Sequence, residues 1–285
     1  MKSTKFKNIF EGLKIAYGQY QKGERNGNGK QQGKAFIVRK NVSDDLWENH
    51  LQGKGPALGI IPIREDNTCR WGCIDIDSYN FNHAGLIQSI RNLNYPLIVC
   101  RSKSGGAHVF LFTKELISAA LMQQTLKRIA TVLGHEGCEV FPKQTEILVE
   151  RGDTGNFLNL PYYNGTQGLR YAFDDKGNAA SLESFYSMYD QYACTEQQVK
   201  DIKFEEKKLE EAFPAGPPCL NKLASVGFGE GSRNNALFNI AVYYKQAHPD
   251  TWEDKIVEAN SKYMDPKLSN SEVQQLIKSV NRKGY

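Results

Sequence analysis

The run Trp71-Gly-Cys-Ile-Asp75-Ile-Asp77 constrains this chain more than any other stretch, because it sets two carboxylates two residues apart in an otherwise apolar segment. β-Branched and aromatic residues without helical periodicity, bounded by turn-like Glu65-Asp-Asn67 and Ser78-Tyr-Asn80, predict a buried strand over Arg70 to Ile76. Residues i and i+2 of a strand share a face, so Asp75 and Asp77 stand side by side while Ile74 and Ile76 fill the other face. Two such charges about 4 Å apart repel by roughly 4 kcal/mol at an effective dielectric near 20, so the pair calls for a cation. Oxygen-only ligands select Mg²⁺ or Mn²⁺ over zinc, and two ions sharing carboxylates are one arrangement used for nucleotidyl transfer. About one pair of this kind arises by chance in a chain this long, so its meaning depends on its surroundings.

The composition is that of an ordinary soluble globular protein: 285 residues, 40% hydrophobic and 24% charged, enough for one large or two modest domains. Net charge is only +4, yet the first 55 residues hold eleven Lys or Arg against five Asp or Glu, an N-terminal excess that suits a polyanionic partner. The six cysteines contain no Cys-x-x-Cys, and the N-terminus carries no signal-peptide or membrane-spanning pattern. A reduced, cytoplasmic protein is therefore expected. Cys69, Cys73 and His83 are too loosely spaced for zinc, and with Cys73 inside the apolar strand, buried free thiols and no zinc are expected.

An amphipathic N-terminal helix is expected from Ile9, Leu13, Ile15, Ala16 and Tyr20, followed by a polar loop from Lys22 to Lys34. Ala35 to Arg39 reads as a strand and Ser43 as the N-cap of a short helix to Leu51. The apolar run Ala57 to Ile63 precedes the aspartate strand. Downstream, His83 to Leu93 reads as helix, Pro96 to Cys100 and His108 to Phe112 as strands, and Leu116 to Leu133 as a long amphipathic helix. Such alternation predicts an α+β or α/β domain with a central sheet over residues 1–195. A helix over Leu182 to Tyr192 precedes a charged helical run, Glu205 to Glu211, and the stiff Pro214-Ala-Gly-Pro-Pro218, which together make a linker over 196–218. Residues 219–285 are helical in period: Asn235 to Gln246 after a Ser232 cap, Trp252 to Tyr263, and Asn270 to Asn281 behind Ser269, a small all-α unit.

Two further elements carry chemistry. The turn Arg101-Ser-Lys-Ser-Gly-Gly-Ala-His108 lies between two expected strands and gathers cations, hydroxyls and two glycines at one sheet edge. Glycines let backbone N–H groups approach an anion, while Arg101, Lys103, Ser102 and Ser104 can donate to phosphate oxygens and His108 can reach the same anion; a flexible basic hairpin is the alternative. In Cys138-Glu-Val-Phe-Pro-Lys-Gln144, Glu139 is the best third carboxylate, with Glu146, Glu150 and Asp153 as competitors, the first two on an alternating stretch typical of exposed strand.

Asp75-Ile-Asp77, the turn ending Gly106-Ala-His108, and Glu139 ahead of Phe-Pro-x-Gln resemble, in this order, the archaeo-eukaryotic primase superfamily, in particular the primase-polymerases of phages, plasmids and related mobile elements. The resemblance extends over His50 to Gly53, Leu58 to Pro62 and Gly155 to Pro161. Gly231 to Phe238, Leu268 to Val273 and Ile277 to Val280 resemble the helical domain, PriCT, that follows such catalytic domains. The resemblance implies an RRM-like central sheet. It implies that Asp75, Asp77 and Glu139 hold the catalytic divalent ions and that His108 contacts the triphosphate of the incoming nucleotide. Arg101, Lys103, Ser104, Gly106 and Lys143 would help to hold that triphosphate. Glu139 stands where relatives often carry aspartate, and no zinc-binding stem is visible.

The expected activity is DNA-dependent primer synthesis and extension from dNTPs or NTPs on single-stranded DNA, with Mg²⁺ or Mn²⁺, no membrane and a replicative helicase as a possible partner in cis or trans. Template binding is expected along the basic N-terminal portion, with Tyr17, Tyr20 and Phe36 as core residues more than stacking platforms. The alternatives are a metal-dependent nuclease, against which a triphosphate-like turn argues, and a non-catalytic module that binds single strands or origins. The chain ends directly after a helix at Lys283-Gly-Tyr285, as expected of a fragment of a longer replicative protein.

Overall fold

The computed structural model describes residues 2–25, 31–78, 81–204, 212–229 and 231–282. The chain forms two compact units, residues 1–204 and 205–285.

The first unit is α+β, built on two four-stranded antiparallel sheets. It opens with helix α1 (Lys2–Phe10), strands β1 (Tyr17–Arg25) and β2 (Gln31–Val38), helix α2 (Asp44–Gln52) and the short β3 (Gly59–Ile60). Then come β4 (Thr68–Ile76), α3 (His83–Asn92), β5 (Leu97–Arg101), β6 (Ala107–Ser118), α4 (Ala119–Val132), β7 (Glu139–Phe141), β8 (Leu158–Asn159), α5 (Leu182–Tyr192) and α6 (Glu196–Lys200). One sheet runs β2-β1-β3-β8 and the other β5-β6-β4-β7, so the aspartate strand β4 is interior, with β6 on one side and β7 on the other.

The expected N-terminal helix is corrected: α1 stops at Phe10 and Tyr17 begins a strand. Gly12 is a poor helix former, and the Leu13 N–H is taken by the Ile61 carbonyl at 2.9 Å, so tertiary pairing outweighs the apolar periodicity. The expected polar loop from Lys22 is also corrected, since its ends are the arms of the β1–β2 hairpin, with Gln21 opposite Lys34 and Lys22 opposite Gly33. Residues 26–30 lie outside those described. The apolar runs at 57–63 and 155–161 contribute only two paired residues each, β3 and β8. At the other extreme, β6 runs on to Ser118, whose hydroxyl then caps α4 by accepting from Leu121 N at 3.2 Å, so the helix starts three residues later than its periodicity indicates.

Alternation along the second sheet sorts its side chains onto two faces. Ile74, Ile76, Leu97, Val99, Val109, Leu111 and Val140 pack against Leu86, Ile87 and Ile90 of α3 and Met122, Leu126 and Ile129 of α4. Trp71, Cys73, Ile98, Cys100, Phe110, Phe112 and Phe141 occupy the opposite face, covered by Phe6 and Phe10 of α1 and Phe185 of α5. The Phe10 ring lies 5.4 Å from those of Phe110 and Phe112 and 5.7 Å from those of Trp71 and Phe185. Burial of four rings this large dominates that half of the core.

The compact first unit extends past the expected boundary at 195. Val199 of α6 is buried in its core, and Arg128 of α4 lies 3.6 Å over the Phe204 ring. The charged run 205–211, expected to be helical, lies outside the described residues. In the second unit, α7 (Pro218–Val226), α8 (Arg233–Ala247), α9 (Trp252–Tyr263) and α10 (Asn270–Arg282) enclose Leu237, Ile240, Ile256, Tyr263, Val273, Leu276 and Val280. The proline-rich segment is not a free spacer: Phe213 is fully buried and the Tyr243 hydroxyl donates to the Pro214 carbonyl at 2.8 Å, fastening it to α8. Ser232 stands at the N-cap of α8 without a side-chain capping bond, whereas Ser269 and Glu272 exchange cap bonds at α10.

Candidate active site

The aromatic face of the second sheet changes character at the C-terminal end of β4. Asp75 follows Cys73 on the same face, and its register neighbours are His108 of β6 and Glu139 of β7. Residues directly opposite in antiparallel strands project to the same side, about 4.5–5.5 Å apart at Cβ. Hydrogen-bonded pairing therefore draws His108, Asp75 and Glu139, which are 31 to 64 positions apart in the chain, into one row. Asp77 lies just beyond the strand and is exposed.

The side chains of this row are partnered unequally. His108 is buried, 7% exposed, with Nε2 3.3 Å from Asp75 Oδ1 and its ring edge-on to Phe110 at 6.0 Å. Asp75 Oδ1 is itself buried and accepts no hydrogen bond. Glu139 is turned to Lys143, its Oε1 2.6 Å from the ammonium. Register thus brings Asp75 and Glu139 together while the Glu139 carboxylate stays paired elsewhere. Among the described residues no three His, Cys, Asp or Glu side chains converge closely enough to hold a metal ion.

The turn between β5 and β6 closes the end of the row. Ser102 N donates to Gly106 O at 2.9 Å, the Ser102 and Ser104 hydroxyls lie 3.0 Å apart, and Ser104 Oγ donates to Asp77 Oδ1 at 3.4 Å. Gly105 takes φ +99°, open to glycine, and a Cβ on Gly106 would fall 2.0 Å from the Ile76 carbonyl oxygen. Gly105 is thus demanded by its backbone conformation, and Gly106 by how closely the turn rides over the end of β4. Arg101 donates through Nη1 to the Leu169 carbonyl at 3.1 Å, and the Lys103 ammonium sits 3.9 Å over the Tyr20 ring. Tyr17 is buried as expected; Tyr20 is only half-buried, at the rim of this region, which corrects its expected place in the core.

Three features escaped the sequence reading. His83, weighed there only as a zinc ligand, has Nε2 3.0 Å from the Gly106 carbonyl, a contact between elements distant in sequence. Gln123 of α4 is buried and donates through Nε2 to the carbonyls of Pro142 and Lys143 at 2.9 and 2.7 Å, anchoring the segment after Glu139. Cys138 feels the acidic pair: burial, then the negative charges of Asp75, Asp77 and Glu136, push its thiol pKa up. Among the competing carboxylates, Glu146 precedes Ile147, whose N–H donates to Asn67 Oδ1 at 2.8 Å, at the opposite end of β4 from Asp75. Glu150 lies in a 3₁₀ turn (Val149–Arg151), so neither it nor Glu146 occupies the exposed strand expected of them, and Asp153 accepts from Leu148 N.

Residues 16–202 match the family described as the archaeo-eukaryotic primase domain of the TOTE conflict system, and residues 222–285 match Primase C terminal 1 (PriCT-1). The chain belongs to the archaeo-eukaryotic primase family, and a primase-type function follows from that membership. Solved structures similar to it include the primase domain of the cyanophage S-2L primase-polymerase, at 10% identity over 61% of this chain and 88% of that one, with TM-score 0.34. Primase RepB′ is similar at 10% identity over 98% and 93% of the two chains, with TM-score 0.33. The catalytic domain of primase RepB′ in complex with initiator DNA is 11% identical over 67% and 94%, with TM-score 0.32. No curated protein matches the sequence. Among the described residues no helix is long and apolar enough to cross a membrane.

Proposed function

We propose that this chain is a DNA-dependent primase-polymerase, a nucleotidyltransferase that starts and extends primers from dNTPs or NTPs on single-stranded DNA. The observation that supports it most is the row His108, Asp75, Glu139 beside a Ser/Gly turn, within a chain of the primase family. The buried Asp75 Oδ1, which accepts no hydrogen bond and has the His108 ring 3.3 Å away, is a place where a cation lowers the cost of burial, and the carboxylates of Asp75, Asp77 and Glu139 are oxygen ligands suited to Mg²⁺ or Mn²⁺. In this reading Asp75, Asp77 and Glu139 hold two ions, which when bound neutralise phosphate charge and lower the pKa of a primer 3′-hydroxyl.

The chain's own side chains do the rest. Glu139 gives up Lys143 to take its place in the carboxylate set, and the freed Lys143 ammonium becomes a donor to the triphosphate. His108 donates a ring N–H to the triphosphate, with the ring held against Asp75. Arg101, Lys103, Ser104 and Gly106 bind the same group from the turn, fixing the α-phosphate for in-line attack. The template runs along the basic N-terminal portion, so its affinity falls steeply with salt. The proposed setting is replication of a phage or other mobile element in a reducing cytoplasm, with a helicase in cis or trans; the matched family is named for a conflict system, where the same chemistry would serve.

Catalysis is assigned to the first unit, and a part in initiation to the helical region 219–285. The deciding assay incubates the protein with a single-stranded template, labelled dNTPs or NTPs, and Mg²⁺ or Mn²⁺. Absence of product from the wild type, or undiminished product from D75A/D77A, sinks the proposal. DNA degradation without nucleotides, lost in the same variant, would make it a nuclease. Removing residues 220–285 is expected to leave extension intact and weaken de novo priming; equal priming rules out the initiation role.

A further inference from the structure

We propose that Arg170 is a further substrate-binding residue, a guanidinium that takes the triphosphate of the incoming nucleotide alongside the turn between β5 and β6. This rests on the reading of the turn as the triphosphate site. Arg170 is 8% exposed, yet its guanidinium makes one hydrogen bond, from Nη1 to the Leu160 carbonyl at 3.3 Å, and lies 5.9 Å from the centre of the Tyr163 ring. Among the described residues no carboxylate pairs with it. Arginine is seldom buried so deeply without an anion, because the charge loses its water and gains nothing in return. Burial accordingly pulls its pKa down, with only Tyr163 opposing. Nε and Nη2 carry no hydrogen bond and are not wholly buried, so the fork keeps donors to offer.

Backbone pairing sets Arg170 on the face of the sheet that carries the site. Residues 170–173 run antiparallel to β5: Cys100 bridges Ala172, Arg101 N donates to the Tyr171 carbonyl at 2.8 Å, and Phe173 N donates to the Val99 carbonyl at 2.8 Å. Across the sheet from Ala172 the register reads Cys100, His108, Asp75 and Glu139, so Ala172 ends the row that carries the carboxylates. Alternation returns Arg170 to that face two positions earlier in the chain, beside Ser102. A second line of polar groups results, one step nearer the turn. It runs from Arg170 to buried Ser102, on to Ser104, whose hydroxyl lies 3.0 Å from that of Ser102, and ends at Asp77, which accepts from Ser104. Its one cation stands at the end away from the carboxylates. A triphosphate held at one end by ions needs positive charge along the rest of its length, and a planar guanidinium can bind two phosphate oxygens at once. Template phosphates offer the same chemistry, but Arg170 shares its line with the turn and not with the basic N-terminal portion.

The test measures dNTP KM on a primed single-stranded template, template affinity by fluorescence anisotropy, and Tm with and without inorganic tripolyphosphate. It uses the full chain and its R170M, R170Q, R170K and K103A variants. Both neutral variants are expected to raise KM about tenfold with template affinity unchanged, and to keep or raise Tm, because a buried charge without a counter-ion is removed. Tripolyphosphate is expected to raise the wild-type Tm and to lose most of that effect in R170M and R170Q. R170K, which keeps the charge without the fork, should fall between them and the wild type. A lower Tm in both neutral variants makes the arginine structural, and weaker template binding at an unchanged KM makes it a template contact; either overturns the proposal. An unchanged KM in R170M and R170Q while K103A raises it overturns the role of Arg170 alone, whereas an unchanged KM in K103A as well overturns the reading of the turn.

Discussion

Trp71 and Cys73 face the same side of β4 as Asp75, yet the two ends of that face have opposite chemistry. Around Trp71, α1 and α5 lay Phe10 and Phe185 over the strands, and even the indole N–H is satisfied, donating to the Phe10 carbonyl at 3.0 Å. Around Asp75 the neighbours in register are polar, His108 on one side and Glu139 on the other, and a buried carboxylate oxygen goes without a hydrogen bond. The closed end supplies rigidity and the open end spends it. A row of carboxylate, imidazole and carboxylate keeps its spacing only because the strands carrying it are clamped a few residues away by interlocked rings.

Four substitutions or titrations probe this contrast, from the largest expected effect to the smallest. D75A/D77A should cut primer synthesis about ten-thousandfold, some 5.5 kcal/mol of transition-state stabilisation, while leaving thermal stability equal or higher, because like charges are removed. A loss of stability instead would mean that the open end is structural. Phe10→Ala acts at the closed end and should cost about 4 kcal/mol in urea unfolding, since it empties a site bordered by the five rings of Phe6, Trp71, Phe110, Phe112 and Phe185. A loss below about 1 kcal/mol would show that the clamp lies elsewhere.

His50 supports the closed end and titrates. It is fully buried, with Nε2 2.8 Å from the Pro161 carbonyl and Nδ1 accepting from Leu58 N, so it must be neutral. Burial, with a smaller push from Arg170 and against the Pro161 contact, holds its pKa down at about 4. Its folded pKa lies below the unfolded value near 6.5, so between the two the unfolded chain binds more protons. The stability it contributes is complete above about pH 6.5 and is lost as pH falls toward 4, on the order of 3 kcal/mol in all. Urea midpoints across that range should show the slope in wild type and lack it in His50→Gln; identical slopes would remove His50 from the account. Gly106→Ala gives the smallest effect: its Cβ cannot coexist with the Ile76 carbonyl, so the turn must shift. About a tenfold weaker nucleotide affinity is expected, some 1.4 kcal/mol, and unchanged binding would mean that the turn's fit over β4 is dispensable.

Much of this could be read from the residues. β4, α3, α5, α9 and α10 begin and end within about two residues of their expected limits, because each has an unbroken period and clear punctuation. The failures share one cause. The helix expected through Tyr20 and the loop expected from Lys22 are segments whose conformation is fixed by a partner elsewhere in the chain: Ile61 for Leu13, and β2 for β1. Local pattern cannot report a hydrogen bond made to a residue about twenty or fifty positions away.

The candidate site divides along the same line. The sequence by itself determined which groups are chemically capable: a same-face aspartate pair, a glycine-rich basic turn, one histidine and a glutamate before Phe-Pro, because strand alternation and side-chain chemistry are local properties. Only the tertiary structure decided their company. Sheet register set His108 and Glu139 on either side of Asp75, and the folding of loops and of one sheet beside the other left Glu139 on Lys143, carried Glu146 to the far end of β4, and brought Tyr20 across to Lys103. Those choices rest on backbone pairing between separate strands and on which rings cover which half of a sheet, free energies that exist only once the chain has closed on itself.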